Sequence, residues 1–317
     1  MKAMVITSFG GPNVFKEDNV PEPEFGPTEV LVKVHATSVN PIDYKIRQSG
    51  SWAGVEPPAV IGYDVSGVVE EIGEAVSDFK VGDEVYYTPK IFGGQGSYAE
   101  YHVAQEAIVA RKPSNISHIE AASIPLAGGV AWDTLIERGS LHPAETVLIH
   151  AGNGGVGSLA IQLAKATGAY VFTTCSNYDF DWVEKLGADR LIDYRAEDFV
   201  DVINTETGSE GVDLVLDPIG GDTLTKSIDA VKHFGRIVSI VASEGDFRKA
   251  LSKNVTVHFF LLQRERYKLD AMRNLIEREK IKPVIDSVMD LKEVAKAHER
   301  LEKGKVKGKI VLKVVKD

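Results

Sequence analysis

The feature that most constrains this chain is a β/α beat between residues 146 and 241. Thr146 to His150, Ala169 to Thr174, Arg190 to Asp193, Val212 to Leu216 and Gly235 to Val241 read as strands. Between them, Val156 to Thr167, Phe180 to Leu186, Phe199 to Thr205 and Thr223 to Val231 read as helices, and Asn254 to Leu262 looks like one more strand. Helical segments of this length between consecutive strands imply parallel pairing through right-handed crossovers, so a doubly wound parallel sheet is expected.

The flanking sequence has a different texture. Glu29 to Val34, Gly67 to Ile72 and Glu84 to Tyr87 are short β-rich runs separated by Pro21, Pro23, Gly26-Pro27 and Gly82-Asp83, the pattern of an irregular β-barrel. Ser117 to Ala122 and Ala131 to Gly139 read as helices, the second stopped by its glycine. Leu269 to Glu279 has helical spacing, and Gly308 to Val314 is a terminal strand able to rejoin the first domain. The expected plan is an α/β domain interrupting a β-rich one. The 317 residues are 44% hydrophobic, enough for two cores of that size. A net charge of −10 repels phosphate backbones and anionic lipid, so neither nucleic acid nor a membrane is an expected partner. No apolar stretch approaches the roughly 18 residues of a membrane helix, and the N-terminus reads as strand and turn rather than signal peptide. Cys175 stands alone, which precludes an intramolecular disulfide or a multi-thiolate zinc site and fits a reducing cytoplasm.

The strongest local motif opens the α/β series. Gly152, Gly154 and Gly157 form G-x-G-x-x-G directly after a strand and at the start of a helix, with Asn153, Gly155 and Val156 between them. Gly152 permits a tight turn, Gly154 lets backbone approach a pyrophosphate, Gly157 lets helix and strand pack, and the helix N-terminus offers unpaired N–H donors to the anion. A dinucleotide site is expected here rather than a plain glycine-rich turn. An NAD site usually places Asp or Glu about 20 residues further on. Here that strand end reads Thr173-Thr174-Cys175-Ser176-Asn177, whose small hydroxyl and amide donors suit a 2′-phosphate, so NADPH is the expected cofactor. Asp179 and Asp181 follow, and are read as helix N-terminal carboxylates favoured by the dipole rather than as ribose ligands.

With these residues in view, the chain resembles the zinc-independent quinone oxidoreductase and enone or alkenal reductase branch of the medium-chain dehydrogenase/reductase superfamily. The resemblance spans essentially the whole chain. It rests on Gly26-Pro27-x-Glu29-Val30-Leu31-Val32, Asn40-Pro41-Ile42-Asp43-Tyr44-Lys45-Ile46-Arg47, Gly62-Tyr63-Asp64-Val65-Ser66-Gly67, the glycine loop, Leu186-Gly187-Ala188-Asp189, and Gly211 to Asp217 before Gly220-Gly221. It implies a GroES-like catalytic domain over 1–124 and 263–317 and a Rossmann domain over 125–262. In zinc alcohol dehydrogenases of the superfamily the stretch matching Gly62-Tyr63-Asp64 is Gly-His-Glu and holds metal; here tyrosine replaces the histidine, and no cysteine stands near Asn40. The four-cysteine lobe of those enzymes is matched only by a short loop after Tyr87, and the eight histidines lack ligand spacing, so no metal is expected.

For the site, the resemblance implies that Asn40 lies against the nicotinamide, able to bond cofactor or substrate oxygen; the alternative is a turn residue set by Pro41. Lys45 occupies a position like the lysine of plant enone reductases, and is otherwise a solvated surface lysine. Tyr63 is expected to line the pocket at the place of the lost metal ligand. Ser176, Asn177, Tyr178 and Tyr194 are the expected phosphate neighbours. A basic residue expected just after Ser176 is absent, leaving Arg195 as the nearest compensation. Asp217, Pro218, Val241 and Ala242 fall at strand ends where doubly wound folds bind ligands, and Phe259, Phe260 and Leu261 look like a segment over the nicotinamide.

The function implied is metal-free hydride transfer from NADPH to a quinone or to the β-carbon of an enone, because a conjugated acceptor needs only modest stabilisation of an enolate oxygen. A nucleotide-binding relative with little turnover, and an enoyl-thioester reductase, are the alternatives. Edge pairing of the strand near Asn254 to Phe260 with its mate predicts a homodimer.

Overall fold

A computed structural model describes residues 1–241 and 245–315. The chain divides into two compact units, one of Met1–Leu126, Arg264–Glu279 and Pro283–Asp317, the other of Ala127–Gln263 and Lys280–Lys282.

The second unit is built on six strands: β1 (Thr146–Ile149), β2 (Tyr170–Cys175), β3 (Arg190–Asp193), β4 (Val212–Asp217), β5 (Val231–Ser239) and β6 (Thr256–Phe259). They lie in the order β3-β2-β1-β4-β5-β6, and every pairing is parallel. Strand order therefore reverses between β1 and β4, where a doubly wound sheet opens its ligand crevice. Val147, Leu148, Ile149 and all of β4 are buried, as a central strand covered on both faces requires. Helix α1 (Gly155–Thr167) follows β1 and ends at Gly168, whose φ of 93° supplies the left-handed cap.

Several elements differ from the sequence expectation. Strand β5 starts at Val231 rather than Gly235, because Val231 already pairs with Val212; the register then shifts, with Phe234 at φ 62°. Strand β6 is shorter than expected, since Asn254 adopts φ 52° and caps the helix Arg248–Lys253. The helix expected from Ala131 begins at Pro125, a favoured first-turn residue, and runs across Gly128-Gly129 to Trp132 before widening into a π-helical turn over Asp133–Arg138.

In the first unit the eleven-residue strand Glu29–Val39 is the hub. It pairs antiparallel with Val65–Ile72, Tyr101–Gln105 and the terminal strand Lys309–Lys313, which thus rejoins the N-terminal sheet. A smaller sheet joins Lys2–Ile6 to Phe15–Asn19 and Ala59–Val60. Between these layers Met4, Ile6, Val39, Ile46, Ile61, Tyr63, Tyr98, Ile310 and Leu312 form one core.

Three buried histidines make this fold acid-sensitive. In the second unit His150 Nδ1 lies 3.1 Å from Thr174 Oγ1 and its Nε2 3.0 Å from Ser227 Oγ. In the first unit His102 meets Tyr87 Oη at 2.9 Å, and His298 sits between Arg47 and Tyr98 at 3.2 and 3.1 Å. Burial pushes His150 and His298 down to about 3 and His102 to about 4. Neutral in the fold but protonated in the unfolded chain below about 6.5, each contributes stability that is complete above that pH and lost as pH falls toward its folded value. Asp43 opposes them: burial raises it to about 7, so its contribution is complete below 3.8 and lost as pH rises through 7. Each group is worth roughly 2–3 kcal/mol at pH 4.5, and the balance of three against one favours loss. The melting temperature should fall steadily from pH 7 to pH 4.5, and His150→Gln should flatten that slope. Equal melting temperatures at the two pH values would contradict it.

Candidate functional site

The glycine loop is shaped by contacts that leave no room for side chains. A Cβ on Gly152 would stand 2.1 Å from Thr173 Oγ1, and one on Gly157 would stand 2.2 Å from the Ala151 carbonyl oxygen. Ala151 itself takes φ 53°, which tightens the turn. Gly154 is different: a Cβ there would meet only the Ala151 oxygen, at 3.3 Å. Its missing side chain is therefore demanded far less by the protein's own packing than at Gly152 or Gly157, and leaves a backbone cradle for a ligand. Gly154 caps α1 without a side-chain hydrogen bond, so the first-turn amides of Gly155 and Val156 are free of a protein cap and suit a pyrophosphate. Beside the loop a cavity of about 710 Å³ is lined by Ala151, Asn153, Thr174, Tyr194, Arg195 and Ile219, from the carboxyl ends of four strands.

The ends of β2 and β3 form one side of this cavity. Cys175 pairs with Asp193 and Tyr194 N donates to the Cys175 carbonyl at 3.4 Å, so the residues following the two strands are neighbours. Ser176 Oγ is buried and has no partner among the described residues. Asn177, Tyr178, Tyr194 and Arg195 are exposed; the Arg195 guanidinium lies 5.4 Å over the Tyr194 ring, and its Nε donates to Tyr194 Oη at 3.2 Å. Asp179 stands at a helix start as expected, as the N-cap residue of Phe180–Val183, but its side chain is otherwise engaged. It is buried and makes no cap hydrogen bond; instead it accepts from Asn153 Nδ2 at 2.7 Å and Trp182 Nε1 at 3.1 Å. That carboxylate holds the glycine loop and is not presented to a ribose. Burial pushes the Cys175 thiol up to about 12, which keeps it protonated.

Other expected cofactor residues fare unequally. The Asp217 side chain is consumed by the protein, accepting from Gly220 N at 3.0 Å and from Ser239 Oγ at 2.9 Å, so this strand end offers a ligand only backbone. Pro218 and Val241 are partly buried nearby, and Ala242 lies outside the described residues. The aromatic segment is not core: Phe259 and Leu261 are exposed, Phe260 is half-buried, and Phe259 meets Phe247 edge-on at 5.8 Å.

In the first unit, Asn40 closes the strand Glu29–Val39 and precedes the helix Pro41–Ser49. Its backbone N–H donates to Asp43 Oδ2 at 2.8 Å, and Asp43 accepts in turn from Tyr98 Oη at 2.7 Å. The Asn40 side chain is buried between opposite charges, donating through Nδ2 to Asp64 Oδ2 at 2.7 Å and accepting through Oδ1 from Lys309 Nζ. Asp64 also accepts from Ser38 Oγ at 2.5 Å, from Lys309 Nζ at 3.3 Å and from the Leu126 amide at 2.7 Å. Gly62 is required just before: at φ 106° its Cβ would stand 2.4 Å from the Tyr98 ring. Tyr63 is fully buried, its hydroxyl has no partner among the described residues, and burial and then the Asp43 charge raise its pKa. Lys45 is exposed on the helix surface. The structure thus brings Asn40 together with Asp64, Ser38 and Lys309, while Lys45 stays apart from that cluster. Lys309 and Ser38 escaped sequence reading because each looks like an ordinary strand residue, and the Asn40–Lys309 contact spans 269 positions. Among the described residues no group of three or more His, Cys, Asp or Glu is arranged to hold a metal.

Comparison with known proteins matches residues 26–114 to the alcohol dehydrogenase GroES-like domain and residues 186–312 to the zinc-binding dehydrogenase family. The NADPH-dependent alkenal/one oxidoreductase of Arabidopsis thaliana chloroplasts is 37% identical over 98% of this chain and 79% of its own length. The human quinone oxidoreductase is 32% identical over 98% of this chain and 97% of its own. Among solved structures, the quinone oxidoreductase of Coxiella burnetii superposes with a TM-score of 0.92 at 38% identity, over 99% of each chain.

The unequal sterics of the loop give a sharp expectation. Gly157→Ala should destabilise the protein by more than about 2 kcal/mol in urea unfolding, because backbone cannot yield to a contact of that kind. Gly154→Ala should cost under about 1 kcal/mol yet weaken binding of a nicotinamide dinucleotide at least tenfold in a fluorescence titration. Unchanged binding in a folded Gly154→Ala variant would remove this glycine from the site.

Proposed function

Because this chain belongs to the medium-chain dehydrogenase/reductase superfamily, an oxidoreductase family, we propose that it is an NADPH-dependent, metal-free reductase of quinones or α,β-unsaturated carbonyls. The bound nicotinamide supplies hydride; the protein binds it, orients the acceptor and polarises the acceptor's oxygen. The observation that carries the reading is the backbone cradle at Gly154 beside an uncapped helix, in a chain whose relatives are named for alkenal/one and quinone reduction. The metal-free part rests on donor chemistry. Tyr63 is no metal ligand in its protonated form, and Asp64 is already saturated by Ser38, Asn40, Lys309 and the Leu126 amide.

Preference for NADPH is supported by the residues that follow β2 and β3. Its unpaired hydroxyl, the Arg195 cation stacked on Tyr194, and an Asp179 carboxylate turned toward Asn153 together favour a 2′-phosphate over free ribose hydroxyls. Asn40 and Tyr63 are the proposed groups at the reacting end; Lys45 is a weaker one, being a solvated surface lysine. We also propose a homodimer formed through the edge strand Thr256–Phe259, with a reducing cytoplasm as its setting.

Two measurements test this. Titration of the intrinsic tryptophan fluorescence should give tighter binding of NADPH than NADH, and Arg195→Ala should weaken NADPH about tenfold while leaving NADH unchanged; oxidation of NADPH should then be seen across a panel of quinones, enones and alkenals. Tight NADPH binding without oxidation would favour a nucleotide-binding relative, and binding of neither nucleotide would reject the enzyme reading. For assembly, sedimentation at micromolar concentration should report twice the 34.5 kDa chain mass, and a monomer mass would reject the edge pairing.

A further inference from the structure

We infer that Lys309 and Asp64 act as a positioning pair that fixes which end of the Asn40 carboxamide is left to donate to an oxygen of the bound reactants. The inference rests on the reading of Asn40 as a group at the reacting end.

A carboxamide has an acceptor end and a donor end of nearly the same shape, and only its partners decide which way round it sits. At Asn40 those partners are unambiguous. Lysine donates and cannot accept, so the atom facing Lys309 Nζ is the oxygen. The Asp64 carboxyl oxygen at 2.7 Å likewise requires the amide nitrogen. Reversing the amide would put NH₂ against an ammonium and oxygen against a carboxyl oxygen, losing two hydrogen bonds in a buried site where each lost partner is costly. Lys309 Nζ also reaches Asp64 Oδ2 at 3.3 Å, which closes the three groups into a ring of contacts.

The arrangement follows from strand register. Ile310 pairs with Val39, so the preceding residue, Lys309, falls opposite Asn40. Ala36 pairs with Ser66, which likewise brings Asp64 opposite Ser38, and Ser38 and Asn40 share a face because strand side chains alternate. Gly308 makes the entry of Lys309 possible: it sits at φ 72°, and a Cβ there would stand 2.2 Å from the Val284 carbonyl oxygen. Asn40 is pinned from behind as well, through its backbone N–H to Asp43.

What this leaves is specific. One of the two Nδ2 hydrogens goes to Asp64, and among the described residues the other has no partner. Asn40 therefore offers an N–H, and its natural recipient is an acceptor oxygen: the carbonyl oxygen of an enone or quinone, on which negative charge develops as hydride arrives at carbon. Lys309 and Asp64 touch none of the reacting atoms in this scheme; they act through Asn40.

The test is a double-mutant cycle on kcat/KM for an enone. Lys309→Gln puts an ambivalent amide in place of a pure donor, and should lower kcat/KM at least tenfold with little change in the NADPH dissociation constant; Lys309→Arg, which keeps a donor-only cation, should restore most of it. In the Asn40→Ala background Lys309→Gln should have no further effect, because the group it positions is gone. An equal loss in both backgrounds, from variants that urea unfolding shows to be folded, would overturn the inference and leave Lys309 a stability residue. A readout independent of turnover is the Asn40 side-chain ¹⁵N–¹H signal of the cofactor-free protein, assigned by its loss in Asn40→Ala. It should be protected from solvent exchange in wild type and Lys309→Arg and lose protection in Lys309→Gln; identical protection in all three would also overturn the inference. Absence of turnover in wild type would instead count against the proposed reaction, with the amide signal still deciding the lock.

Discussion

The first unit depends on one buried carboxyl group. Asp64 gathers Ser38 and Asn40 from the end of the hub strand, the amide of Leu126 from the chain about to leave the unit, and Lys309 from the strand that returns at the C-terminus. These segments lie up to 245 positions from Asp64 along the chain, and none would converge on it without a reason. A buried charge pair is not a cheap way to gain stability, since desolvation offsets most of its Coulomb attraction and apolar replacements often do as well. Its value lies in intolerance: with either charge missing, the other is stranded at a cost of about 3–5 kcal/mol. A cluster of that kind selects a single register for the three strand ends, and register is what places Asn40.

The second unit is organised by exclusion rather than by charge. Gly152 and Gly157 are glycines because backbone and Thr173 already fill the space a Cβ would take, whereas a Cβ on Gly154 would press only on the Ala151 oxygen, at 3.3 Å. The loop is thus pressed into shape by its own strand and helix, least tightly at Gly154, where a phosphate group could approach. Polar tethers reach the loop from the end of β2 as well: Thr174 accepts from the Ala151 and Gly152 amides, and Asp179 accepts from Asn153.

Much of this was legible in the sequence, and the reason is periodicity. The β/α beat, the glycine loop opening it and the terminal strand are local patterns, so they announce themselves within a window of a dozen residues. Element ends were less legible where tertiary partners override local signals: Val231 joins β5 because Val212 is beside it, and Gly128-Gly129 stays helical despite its loop-like composition. The employment of polar side chains was least legible. Asp179 reads as an ordinary helix-start carboxylate, Asp217 as a ligand-facing strand end and Lys309 as an ordinary residue of the terminal strand. Each is decided by a partner that only the fold supplies.

The missing basic residue after Ser176 illustrates how a fold relaxes a sequence requirement. In an isolated strand, only the residue following Ser176 could bring a cation to its hydroxyl. In a parallel sheet the neighbouring strand ends at the same level: Cys175 is in register with Asp193, so the positions beyond β2 and those beyond β3 border the same space. A cation following β3 can then serve as well as one following β2, provided its side chain is held there. Tyr194 supplies that hold for Arg195 through the ring face and the hydroxyl together, which limits the rotamer entropy a free arginine would lose on meeting an anion. The proposed phosphate site would therefore draw its hydroxyl from the end of β2 and its cation from the end of β3.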